Sequence, residues 1–63
     1  MAKTLPAIPP QDYEGSIACW MITLQELGLW NGEGFYGDIV VSIADYNRLL
    51  LACEGHDEGL LEE

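Results

Sequence analysis

Apolar residues recur at helical spacing from Tyr13 onward: Tyr13, Ile17, Trp20, Met21, Leu24 and Leu27 fall on one face. Pro10 suits the first turn of such a helix, with Asp12 and Glu14 near its positive end, and Gly28 is its natural stop. The spacing therefore predicts a helix over 10–28, with Ser16 as a second possible start because Gly15 weakens any helix through it. Leu29 is placed to fold back on the last turn. Ala18, Ile22 and Leu29 widen the apolar arc to roughly 220°, more than one packing surface requires. Only Ser16, Cys19, Thr23 and Glu26 form a polar strip.

Asn31-Gly32-Glu33-Gly34 is the strongest turn signal, and the aromatic and β-branched run after it predicts a strand over 35–41. Phe35, Ile39 and Val41 would share one face of it, and Tyr36, Asp38 and Val40 the other. Ser42 caps a second helix over 42–54, supported by Asp45 three residues on and by Ile43, Tyr46, Leu49, Leu50 and Cys53 at helical spacing. Residues 1–9 read as an extended, proline-containing arm and 55–63 as an acidic, frayed tail, with docking of Leu60 and Leu61 as the lesser reading. The fold class is α+β, a helix–strand–helix protomer in one domain over 1–63.

The strand has no good mate within the chain, since three prolines make the Leu5–Ile8 arm a poor one. A strand must pair, so the simplest expectation is an intertwined homodimer whose strand pairs antiparallel with its copy across a two-fold axis. The expected interface is Ile17, Trp20, Leu24, Phe35, Ile39, Val41, Tyr46 and Leu50.

Composition sharpens this. The 63 residues carry 11 acidic side chains against 2 basic ones, a net charge of −9, while 49% of the chain is hydrophobic. That apolar share argues for folding rather than disorder, yet so short a chain buries too little surface to be secure alone. The acidity argues against direct nucleic-acid binding and permits a basic protein partner. No apolar run reaches membrane-spanning length, and prolines follow Lys3 where a secretion signal would be apolar. The expected compartment is the cytoplasm, where Cys19 and Cys53 would be reduced, buried small hydrophobes, a disulfide being the lesser alternative.

Candidate chemistry fails on inventory. Cys53, His56, Asp57 and Glu58 offer half of a zinc pattern with no second pair, so no metal and no cofactor is expected. Cys53 and His56 lack an orienting third group, and the carboxylates of Glu33, Asp38 and the tail read as solvated charge. Asn31–Gly34 lacks the lysine of a phosphate loop. No catalytic residues are assigned and the chain is read as a non-enzyme. Trp20, Met21, Trp30, Phe35, Tyr36 and Tyr46 are a heavy aromatic and methionine load, mostly for core and dimer packing. Met21, Trp30 and Tyr36 are the candidates for an apolar cleft that would take an amphipathic helix bearing Lys or Arg.

The proline arm, Ile17-Ala18-Cys19-Trp20-Met21, Asp38-Ile39-Val40-Val41-Ser42 and Ala44-Asp45-Tyr46-Asn47-Arg48-Leu49 together resemble one family over nearly the full chain. They look like the small early proteins encoded between the exonuclease and excisionase genes of lambdoid temperate bacteriophages. The resemblance implies a helix–strand–helix dimer acting in the host cytoplasm early in infection to favour lysis over lysogeny, and it carries over no catalytic residues. The function expected is regulation through binding another protein, host or phage, in the apolar cleft. The alternative is an acidic decoy that blocks a nucleic-acid-binding surface of a host factor.

Overall fold

The computed structural model describes residues 3–55, 57 and 59–62. Elements run in the order β1 (Thr4–Pro6), α1 (Ile17–Glu26), a 3-10 turn (Tyr36–Asp38), β2 (Val40–Ser42) and α2 (Ile43–Glu54). The α+β class is therefore as expected, but three elements differ from the sequence reading.

The strand has its mate inside the chain. β1 and β2 pair antiparallel, with Thr4 opposite Ser42, Leu5 opposite Val41 and Pro6 opposite Val40. The amide of Ala7 donates to the carbonyl of Ile39 (3.1 Å), which marks Ala7 and Ile39 as a hydrogen-bonded position of the ladder. By alternation Leu5/Val41 is also a bonded pair, and Pro6/Val40 is not. The missing N–H of Pro6 thus faces away from β2 and costs the ladder nothing. The two carbonyls after it are held by aromatic side chains instead. The Trp20 indole donates to Ala7 O (3.0 Å) and the Tyr46 hydroxyl to Ile8 O (2.8 Å). Pairing across a two-fold axis is not needed to satisfy this strand.

The expected strand over 35–41 shortens to Val40–Ser42 because the chain turns before it. Asp38 N bonds to Phe35 O (3.0 Å) and Ile39 N to Tyr36 O (3.2 Å), closing the 3-10 turn. Gly37 leaves room for the side chains that close over the turn, since a Cβ there would lie 2.5 Å from the Phe35 ring and 2.9 Å from Ile8 and both would have to shift.

The first helix begins at Ile17, not at 10, so the second candidate start is the one used. Ser16 caps it by accepting the amide of Cys19 (2.9 Å), while Pro10–Tyr13 forms a turn closed by Tyr13 N to Pro10 O (3.0 Å). Its C-terminus is a Schellman motif: Gly28 N bonds to Gln25 O and Leu29 N to Leu24 O, both 3.0 Å, with Gly28 left-handed at φ 74°. The second helix matches its reading, with Ser42 accepting the amide of Asp45 (3.2 Å) and Gly55 ending it.

Two further expectations are corrected. Cys19 and Cys53 are joined in a disulfide linking α1 to α2, with Cα atoms 5.8 Å apart. Nor does the described part of the tail hang free. Asn47 clamps Leu61 through both amide atoms (Nδ2 to Leu61 O and Leu61 N to Oδ1, each 2.9 Å), and Leu60 packs on the core. His56 and Glu58, named among the metal candidates, and Glu63 of the tail lie outside the described residues. Ala7, Trp20, Leu24, Trp30, Val41, Tyr46, Leu49 and Leu50 are the core. Tyr13, Trp20 and Tyr46 stack through it edge to face at 5.2 and 5.5 Å.

Candidate functional site: an acid-rimmed apolar groove

The Schellman turn throws the chain from α1 into the loop 28–35, and the 3-10 turn brings it back to β2. Between the two lies a groove of about 550 Å³ lined by Leu29, Trp30, Asn31, Glu33, Phe35, Asp38 and Ile39, together with glycine backbone. Its wall is rigid for local reasons. The Trp30 indole donates to Glu33 O (2.9 Å), and Asn31 Oδ1 accepts the Glu33 amide (3.0 Å), so one short loop is closed twice. Trp30 is 7% exposed and meets Tyr36 edge to face at 6.2 Å, and Tyr36 in turn packs against Phe35 at 4.7 Å.

Phe35 itself is 54% exposed. Around it the outward face of the ribbon continues the apolar surface, since alternation puts Pro6, Ile8 and Val40 on that side. Ile8 is 44% and Val40 64% exposed. Glu33 and Asp38, both exposed, line the same groove, so negative charge lies beside its apolar side chains.

A second trough of about 490 Å³, lined by Pro10, Asp12, Glu14, Tyr46, Leu50, Glu54 and Leu61, lies over α2. Burial pushes the Tyr46 hydroxyl above its ordinary pKa, and Asp12 and Glu54 push it the same way. Burial and then Glu54 do the same to Tyr13. Among the described residues no three His, Cys, Asp or Glu side chains converge on a position that would hold a metal ion. Nor is any helix among them long and apolar enough to cross a membrane.

Of the expected cleft trio, Trp30 alone lines the groove; Tyr36 meets Trp30 edge to face and packs on the core without lining it, and Met21 packs on the core from α1. Of the residues expected at a dimer interface, Trp20, Leu24, Val41, Tyr46 and Leu50 are buried within this chain's own core. Ile39 is half-buried in the groove, and Ile17 and Phe35 are exposed. The residues that sequence reasoning missed are Leu29, Ile8 and Val40. Leu29 reads from sequence as folding back on the first helix and widening its apolar arc, and the other two need the register of an arm whose prolines argue against pairing. Comparison with protein-family models, characterised proteins and solved structures finds no match for this chain.

Proposed function

We propose that this chain is a protein-binding domain that captures an apolar, Lys- or Arg-bearing helix of another protein in the Trp30 groove. The observation that carries the reading is the exposed Phe35 ring in one groove with Leu29, Trp30 and Ile39, which Glu33 and Asp38 also line. Aromatic anchors supply affinity in such a site, and the carboxylates, in a chain of net charge −9, select for a basic partner. The resemblance to early lambdoid phage proteins supports placing this capture in early lytic development. The Cys19–Cys53 bond weighs against a reducing host cytoplasm, so the thiol state of the protein recovered from cells under acid quench belongs to the same test.

The experiment is a titration with two peptides of equal length and charge, one patterned as an amphipathic Lys/Leu helix and one scrambled. Capture is expected to shift the amide signals of 28–39 and the tryptophan fluorescence with the patterned peptide only, and Phe35→Ala should weaken it about tenfold. Equal binding of both peptides, or no shift in that segment, would sink the proposal. The second trough favours a competing reading, because Asp12, Glu14 and Glu54 are what an acidic decoy would offer a nucleic-acid-binding surface. Affinity that falls steeply with salt, with shifts centred on those three residues, would assign the function to the decoy.

Homodimer formation is part of the same proposal in altered form. With β2 already paired, a second copy would cover the outward ribbon face of Ile8, Phe35 and Val40 rather than complete the sheet.

A further inference from the structure

The disulfide sits in an electrically asymmetric setting. Cys19 is the third residue of α1, one turn from its capped N-terminus, and donates its own amide to Ser16 Oγ. That end of a helix carries partial positive charge and stabilises a thiolate. The Thr23 hydroxyl lies 4.0 Å from Cys19 Sγ and 3.5 Å from Cys53 Sγ, one turn along the same helix. Cys53 is the penultimate residue of α2, at the partially negative end. A small crevice of about 270 Å³ opens onto it, lined by Glu14, Gly15, Cys53 and Glu54, and Cys19 does not line it. The Glu14 amide donates to Glu54 Oε1 (2.9 Å), which holds that carboxylate at the crevice.

We propose that Cys53 is a thiol-exchange site selective for thiols that carry positive charge. The attacking thiol first loses its proton to solvent, and its thiolate forms a bond to Cys53 Sγ. The Cys19–Cys53 bond breaks, and Cys19 Sγ leaves with the electron pair as a thiolate, beside the Thr23 hydroxyl and the α1 N-terminus. The incoming sulfur is oxidised to a mixed disulfide as the Cys19 sulfur is reduced, so no further oxidant enters. Exchange is faster when the departing thiol has the lower pKa, which favours Cys19 as leaving group. The carboxylates of Glu14 and Glu54 repel an anionic attacker and draw a cationic one. The site is independent of the Trp30 groove.

The test compares cysteamine with 2-mercaptoethanesulfonate, two short thiols of opposite charge, at substoichiometric amounts and with rates expressed per thiolate. Cysteamine is expected to react about tenfold faster at low ionic strength, and the ratio should shrink towards unity in molar salt. Acid quenching, alkylation of the released thiol and peptide mass mapping should place the mixed disulfide on Cys53 and the alkyl group on Cys19. Glu14→Gln should reduce the preference for cysteamine while leaving the position of the adduct unchanged; the salt series reads the same charge effect on the wild-type chain should that variant not fold. An adduct on Cys19, or equal rates for the two thiols at low salt, would overturn the proposal.

Discussion

Trp20 joins three parts of the molecule at one point. Its ring is fully buried between Tyr13 and Tyr46, and its indole N–H is the donor that holds the Ala7 carbonyl. Trp20→Phe keeps an aromatic ring but strands that carbonyl in the core and leaves a small void. An orphaned buried acceptor alone costs about 1–3 kcal/mol, so a urea midpoint well below wild type is expected. Tyr46→Phe removes the corresponding bond to Ile8 O at lower cost, about 1 kcal/mol, because the ring stays in place. The same hydroxyl also sets a pH dependence. Its pKa is raised in the folded chain, as is that of Tyr13, so above pH 10 the unfolded chain releases these protons before the folded one. The unfolded state then binds fewer protons, and stability falls as pH rises from the ordinary tyrosine pKa towards the folded one. Denaturation midpoints measured between pH 8 and 11 should show this decline, shallower in Tyr46→Phe.

Among the elements, the helices are held to one another by covalent bond and the arm by borrowed donors. The disulfide spans a sequence separation of 34, which in the chain-entropy account constrains the unfolded state by about 4 kcal/mol. For a domain this small that approaches the whole of its expected stability. Replacing both cysteines by serine, or complete reduction, should therefore leave the chain largely unfolded at 37 °C, read as loss of dispersed amide signals. Ser42→Ala is a milder probe of the same architecture, expected to cost about 1 kcal/mol through the lost cap.

These elements also show where the sequence was legible. The second helix could be read almost to the residue, because Ser42, the apolar spacing and Gly55 are local signals. Gly28 and Leu29 announced the end of the first helix for the same reason. Its start was masked by Tyr13, whose side chain fits the helical stripe although its backbone lies in a turn, with the hydroxyl donating to Ser16 O (2.6 Å). The sheet was misread because a proline counts against a strand only where its N–H would be used. Whether Pro6 sits at such a position depends on a register set by its partner Val40, far along the chain. The groove was half legible. Trp30 stood out by type, and its loop neighbours Leu29 and Glu33 lie beside it in sequence, while Asp38 and Ile39 reach it only because the chain turns at Tyr36–Asp38.

At the scale of the whole molecule, the conflict is between an exposed apolar face and a net charge of −9. Ile8, Phe35 and Val40 offer a surface that a second copy would cover with hydrophobic gain. Each copy also brings the full excess of acid, and the repulsion between two such chains acts over the Debye length, about 10 Å at 0.1 M salt. Dispersed charge is screened by salt, whereas the hydrophobic term is not weakened by it. Self-association through the ribbon face should therefore be salt-dependent in an unusual direction: monomer at about 20 mM salt and a growing dimer fraction towards 0.5 M. Sedimentation equilibrium across that range reads it directly. Val40→Lys tests the surface, because a lysine there still suits an edge strand but removes the apolar contact. If the dimer forms through this face, the variant stays monomeric at 0.5 M salt with its fold intact. A dimer fraction unchanged by Val40→Lys would place the contact elsewhere, and a dimer that dissociates with salt would mean charge pairing drives it.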